Sequence, residues 1–276
     1  MIKLCYIFMD NIGNYQTKKF SKNRRVLAET YDFFLKKHYM TGYIEIDVTK
    51  GKSLIKKYEL ENGLKLSFTS WIVKSLSKII EKYPRFNSFR KGRNKIIVFE
   101  DIDIIIMVER EVNNKMVPIA HSVRKSQHKK LVDISNEVRE TQIKKVTEKE
   151  QLLDQDNKAK YFNLLPKFLR KLLMKRYVYN PFTIKKNGGL IVITSVGMFT
   201  DIPGWISGFG GLTTINIAIG GIKKKLAKID GKIEERDILH MTISFDHDLI
   251  DGAPATRFTQ EFVDLLRDAT LLEDIF

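Results

Sequence analysis

Ser244-Phe245-Asp246-His247-Asp248-Leu249-Ile250-Asp251-Gly252 joins two segments of different periodicity. Ahead of it, 238–244 reads as a strand. After it, 253–268 reads as a helix with Phe258, Phe262 and Leu265 on one face. A histidine therefore leaves the end of a strand, and an aspartate follows four residues on, just before a helix. Gly252 relaxes the backbone there, and Asp251 is placed to cap the helix. Imidazole is the side chain best suited to move a proton near neutral pH. Taken alone, the run reads more often as a surface loop and helix cap than as a catalytic turn, and the rest of the chain has to decide.

Working outward, 23–37 reads as a helix and 42–48 alternates with period two as a strand. Thr49 is placed to cap a helix over 53–60. Residues 67–83 carry Phe68, Trp71, Ile72, Leu76, Ile79 and Ile80 on one helical face. The nearly continuous β-branched run 96–108 predicts one strand buried on both faces. A strand at 115–121, a charged helix at 127–151 and strands at 189–195, 212–222 and 238–245 follow. Ile229-Asp230-Gly231-Lys232 is a hairpin signal before the last of these. Strands and helices interleave without regular βαβ repetition, which predicts a mixed sheet with helices packed on one side.

Composition bounds the rest. The 276 residues, 43% hydrophobic and with only 6 Pro, read as a single domain, 1–276, with no linker. No apolar stretch reaches the ~20 residues that span a bilayer. The segment 1–10 is too short for a signal peptide, and the one cysteine, Cys5, excludes an intrachain disulfide. The expectation is a cytoplasmic protein. A formal net charge of +15 invites nucleic acid, but no zinc-finger spacing, RNP motif or recognition helix accompanies it, and the basic residues are spread along the chain rather than restricted to one segment. No nucleic-acid partner is expected. The charge reads as a basic surface or as attraction for an anionic substrate such as coenzyme A. His38, His121, His128 and His240 read as surface or packed residues, no pair has zinc-ligand spacing, and no metal is expected. The glycine-rich 208–211 lacks a following Lys-Ser/Thr and reads as a loop near the site.

These segments also carry a resemblance. The 246–252 run resembles the D-H-R-x-x-D-G signature of the acyltransferase component of 2-oxoacid dehydrogenase complexes. Ile193-Thr194-Ser195-Val196-Gly197-Met198-Phe199 looks like that family's T-I-S-N-L-G-M-F strand and turn. Leu66-Ser67-Phe68-Thr69-Ser70-Trp71, ending at Pro84 and Asn87, looks like its first core helix. Met116-Val117-Pro118-Ile119 with Lys130-Leu131-Val132-Asp133-Ile134 resembles its L-I-V-P-I-V block, and Arg24-Arg25-Val26-Leu27-Ala28 its R-K-x-I-A start. The blocks keep the family's order over about 20 to 270. The resemblance implies an α/β (α+β) fold, the chloramphenicol acetyltransferase-like two-layer sandwich, and trimers or a multiple of three. It also implies that the histidine and the oxyanion donor come from neighbouring subunits.

Three departures stand out. Asp248 replaces the family's Arg, which bears on acceptor recognition. Thr194 stands for the usual Ser, with Ser195 one step along as the fallback. A basic helical insertion at about 151–187, holding nine Lys/Arg against two Asp, has no close counterpart. Within it, Phe162, Leu165, Phe168, Leu169, Leu172 and Leu173 form an apolar stripe over 161–177. It is expected to pack on its own trimer with Lys and Arg outward, a membrane surface being the less favoured contact. No lipoyl domain precedes the blocks, so the chain looks like a stand-alone catalytic domain. It is expected to carry no lipoyl group of its own and to draw on a separate lipoyl-bearing protein.

The chemistry so implied is acyl transfer between a thioester, with coenzyme A as carrier, and a thiol or other nucleophile. His247 takes the nucleophile's proton, Thr194 donates to the oxyanion and Asp251 organises the loop. The reading from another class is a non-catalytic trimeric scaffold of the same fold.

Overall fold

The computed structural model describes residues 13–112, 115–143, 162, 164–195, 203–207 and 211–276. Its centre is a six-stranded mixed sheet in the order β1-β8-β7-β6-β4-β5. The strands are β1 (Tyr39–Asp47), β4 (Ile104–Val112), β5 (Lys115–Val123), β6 (Ile191–Ser195), β7 (Ile215–Ile229) and β8 (Lys232–Asp246). β6 runs parallel to both neighbours, and the remaining pairs are antiparallel. β2 (Ser88–Lys91) and β3 (Lys95–Val98) form a separate hairpin.

Register explains which face is buried. Ile106, Ile193, Ile217 and Ile243 lie in one cross-strand row, and each is almost fully buried. Alternate residues point to opposite faces of a strand, so this row and its neighbours at Ile104, Ile191, Ile215 and Phe245 make one apolar face. Onto it pack α3 (Phe68–Lys82), α4 (Leu131–Ile143) and α7 (Gly252–Asp268), through Trp71, Leu76, Ile134, Phe258 and Phe262 in one continuous core. The opposite face carries small and polar side chains, with Thr194, Ala218 and Thr242 in one row. Helices against one face of a mixed sheet give the expected two-layer α/β architecture.

Local chemistry sets the ends of these elements. Ser67 caps α3 by accepting from the Ser70 amide. Asp230 and Gly231 both take positive φ, 47° and 85°, the geometry of a tight hairpin turn between β7 and β8. A Cβ at Gly189 would lie 2.3 Å from the Asp103 carbonyl oxygen, so only glycine lets β6 start that close to β4.

Several expectations change. The run 96–108 is not one strand. Its first part pairs with β2, and only the residues from Ile104 enter the main sheet, where Ile104, Ile106 and Val108 alone are buried. β-branched content marks strand but cannot show where the chain changes sheets. The helix expected over 53–60 spans Thr49–Asn62 (α2), and Thr49 does not cap it: its amide and hydroxyl both donate to Asp47 Oδ1. The helix expected over 127–151 begins as a 3₁₀ turn at Ser126–His128 and continues as α4, and 144–151 lies outside the described residues.

The first helix, α1 (Lys22–Phe34), and the basic helix, α5 (Lys167–Val178), stand apart from the main core. They meet in a small cluster of Phe33, Met174 and Val178. A short helix, α6 (Pro181–Asn187), then leads into β6.

Candidate active site

The His247 turn follows β8 directly and is held from four directions. The His247 amide donates to the His38 carbonyl at 2.7 Å, carrying the β1–β8 pairing one step past the strand. The Asp246 carbonyl accepts from the amides of Leu249 and Ile250, closing the turn, and both of those side chains are buried in the core. Arg85 donates through Nε to the Leu249 carbonyl at 3.0 Å. Beneath, Phe86 stacks on Phe258 with Phe245 edge-on, an apolar floor that fixes the end of the strand.

Ionic contacts flank the histidine on both sides. Lys37 Nζ lies 2.6 Å from Asp246 Oδ2 and over the Phe89 ring, and both charged groups are nearly buried. Burial pulls the Lys37 ammonium below its usual pKa, against the opposing charge of Asp246. Asp246 Oδ1 also accepts from the Asp248 amide. Asp248 bridges His38 Nδ1 at 2.9 Å and Arg90 Nη1 at 3.0 Å. Those hydrogen bonds, His38 first, hold its carboxyl below the usual range although partial burial pushes the other way. The acidic residue that departs from the family pattern is thus balanced by an arginine arriving from β2. The His247 side chain itself is exposed between the two anchored aspartates.

The other expected site residues lie elsewhere. Thr194 is half-buried at the end of β6, on the face turned away from α3 and α7. Ser195 points the opposite way and is buried on the helix side. Thr194 is in register with Ala218 and Thr242, and His247 lies five residues further along β8. At about 3.3 Å per residue and about 4.8 Å per strand, the two are separated by roughly 20 Å. One subunit does not bring them together. Asp251 occupies the N-cap of α7, but its side chain makes no capping bond. Its carboxylate is exposed and has no hydrogen-bond partner among the described residues. Within one chain the organising work expected of Asp251 is done by Lys37, Asp246, His38 and Arg90. The sequence reading missed these because their link to His247 depends on β1 pairing with β8, across some 200 positions of chain. Of the other histidines, His240 is buried, its Nδ1 against the Gly221 carbonyl and its ring against Trp205. His121 pairs with Glu137. The glycine loop 208–210 lies outside the described residues.

A cavity of about 940 Å³ opens beside the turn, and the aspartates on either side of His247 both line it. Its far wall is α5, through Leu172 and Leu173, and the Tyr179 that follows it. The packing of α5 departs in part from the expected polarity. Lys167, Lys175 and Arg176 face outward, but Arg170 is buried beside Met174 and Val178, gripping Glu29 of α1 through two hydrogen bonds of 2.5 and 3.0 Å, while Phe168 is 75% and Leu172 61% exposed. A guanidinium can be buried this way because its planar fork matches a carboxylate. The hydrogen bond from Arg170 lowers the Glu29 pKa, against its desolvation.

Comparisons with known proteins bear on the family and the fold. The model of the 2-oxoacid dehydrogenases acyltransferase (catalytic domain) family matches residues 13–161 and 185–273. A dihydrolipoyllysine-residue succinyltransferase component of the 2-oxoglutarate dehydrogenase complex from Buchnera aphidicola is 24% identical over 242 residues, which cover 83% of this chain and 50% of that protein. The dihydrolipoyllysine-residue acetyltransferase component of the pyruvate dehydrogenase complex from Haemophilus influenzae is 28% identical, over 75% of this chain and 30% of its own length. The chain spans about half the length, or less, of these curated relatives. Among solved structures, the Azotobacter vinelandii dihydrolipoamide acetyltransferase superposes with a TM-score of 0.68 at 17% identity, covering 95% of this chain and 96% of that one. The cubic core of a pyruvate dehydrogenase multienzyme complex gives 0.67 at 17% identity, with coverages of 95% and 96%. The match of the family model over most of the sequence, on a fold shared with those cores, shows that this chain belongs to the 2-oxoacid dehydrogenase acyltransferase catalytic-domain family.

Proposed function

We propose that the chain transfers an acyl group between coenzyme A and a thiol acceptor, with His247 as general base. The observation that carries this reading is the placement of an exposed imidazole on a turn whose two flanking aspartates, each held by an ion pair, line a cavity that accommodates a substrate-sized molecule. The imidazole takes the proton of the acceptor thiol as its sulfur attacks the thioester carbonyl carbon. The carbonyl π pair moves to oxygen, and the Thr194 hydroxyl donates to that oxyanion. When the intermediate collapses, the bond to the coenzyme A sulfur breaks and the departing thiolate takes the proton back from the imidazolium.

Because Thr194 lies roughly 20 Å from His247 within one subunit, the site is proposed to form between neighbouring subunits of a trimer or a multiple of three. The family resemblance and the fold shared with a cubic complex core support that arrangement. Asp251, with its carboxylate exposed at the N-cap of α7, is the third proposed member. Dihydrolipoamide is the proposed acceptor, as the names of the relatives suggest, carried by a separate lipoyl-bearing partner. The chain is proposed to form one domain over 1–276, with the basic insertion at about 151–187. The gap in the family match over 162–184 supports that division. Among the described residues no helix is long and apolar enough to cross a membrane.

The test is transfer from acetyl-coenzyme A to dihydrolipoamide by the purified protein. Turnover by the wild type that His247→Ala lowers at least about 100-fold, at unchanged melting temperature, supports the reading. A wild type that assembles but transfers no acyl group from coenzyme A to any thiol favours the scaffold instead.

A further inference from the structure

The cavity beside His247 is unusually cationic for its size. Lys36 at the end of α1, Lys37, Arg90 and Arg93 of the β2–β3 hairpin, and Lys175 and Arg176 of α5 all line it, against two carboxylates. Both carboxylates are already committed, Asp246 to Lys37 and Asp248 to Arg90. Lys36, Arg93, Lys175 and Arg176 are exposed and form no ion pair with a described carboxylate. Four cations without a carboxylate partner in hydrogen-bond reach line one space, Lys36 among them with its ammonium over the Phe33 ring. Solvent screens their repulsion only in part, and a polyanion would answer more of them than a lone carboxylate. The wall between them is apolar, with Leu172, Leu173 and Tyr179. Half of the clamp comes from α5, which falls in the stretch 162–184 that the family model does not match.

We propose that this cavity is a phosphate clamp for the acyl carrier: Lys36, Arg93, Lys175 and Arg176 hold the phosphate-bearing end of coenzyme A, and the leucines and Tyr179 take its apolar and nucleoside parts. The inference rests on coenzyme A being the carrier, as proposed above, and adds a recognition site that this chain builds from its own insertion. A concave site of this volume fits a small molecule better than a bilayer, which would need a flat or convex apolar face.

The test is equilibrium binding to the full chain, with no acceptor and no turnover. The probes are coenzyme A, pantetheine and, separately, phosphatidylglycerol vesicles. The wild type binds coenzyme A more tightly than pantetheine, with an affinity that falls as salt rises. The double variant Lys175→Gln/Arg176→Gln weakens coenzyme A by about 100-fold, the worth of two charge-assisted contacts, and leaves pantetheine unchanged. Lys36→Gln/Arg93→Gln, on different elements, does the same and guards against a local folding defect in α5. Equal weakening of both probes, or none, overturns the clamp. So does vesicle binding that the first variant abolishes while coenzyme A binding is untouched, which would make α5 a membrane-surface helix. Clamped coenzyme A in a chain that transfers no acyl group would sink the proposed function and leave the clamp standing. An active chain whose coenzyme A affinity ignores both variants would do the reverse.

Discussion

The His247 turn and the α5 helix face each other across one cavity and are built on opposite plans. The turn sits on a stacked aromatic floor, is tied to the α1–β1 connection and to β2 by Lys37, His38 and Arg90, and leaves the His247 imidazole exposed. Helix α5 is attached by the buried pair Arg170–Glu29, an exposed pair Lys171–Asp32 and a three-residue apolar cluster, with bulky apolar and basic side chains left outside. The family model matches the first region and omits the second. The proton transfer proposed for His247 requires a group held within fractions of an ångström, which its redundant support provides. The recognition proposed for α5 requires only that it present charge and shape.

The largest expected effect breaks the first half of that comparison. His247→Ala lowers acyl transfer by about 100-fold or more with no loss of fold, as read by turnover and melting temperature. Full activity in the variant removes the assignment. Next, Thr194→Val lowers kcat on the order of 100-fold, the worth of one oxyanion donor, with little change in KM, while Thr194→Ser retains much of the activity. A silent Thr194→Val together with a damaging Ser195→Ala would show that the hydroxyl on the helix side of β6 is the donor.

The contrast in anchoring predicts different kinds of failure. Lys37→Met leaves the Asp246 carboxylate nearly buried without its partner and lowers global stability by about 3 kcal/mol, read by denaturant titration. An unchanged midpoint would mean that the turn does not depend on the pair. Glu29→Gln acts locally. It lowers the free energy of opening of α5 by up to about 3 kcal/mol while the main transition barely moves, read by amide exchange. The pH dependence follows the same pair. The Glu29 carboxyl titrates below its ordinary value of about 4.3 in the folded chain. Its contribution is therefore complete above that value and lost as pH falls through the lower folded value, so α5 is released by acid and not by base. Loss of protection at alkaline pH would contradict the assignment.

How far the sequence alone reached follows from the range of the forces involved. Period-two and helical patterns are local, so β1, α3, the β7–β8 hairpin and α7 were legible, as was the strand-end position of His247. The break in 96–108 was not, because leaving one sheet for another is a tertiary event. Nor was the burial of Arg170 in place of Phe168 and Leu172. Patterning puts charge outside unless a distant partner matches it, and Glu29 is 141 positions away. Lys37, His38 and Arg90 had no local signal at all, since their meaning comes from the strand pairing that brings them to the turn.

The central claim is that the catalytic pair is completed between subunits, and mixing inactive subunits tests it most directly. His247→Ala and Thr194→Val chains are co-expressed, and the mixed assemblies are purified and assayed. In a ring of heterologous interfaces, equal and random mixing pairs an intact histidine with an intact threonine at about one interface in four, so activity returns to roughly a quarter of the wild type. Activity that stays at the level of the single variants, in assemblies shown to contain both chains, would contradict the account.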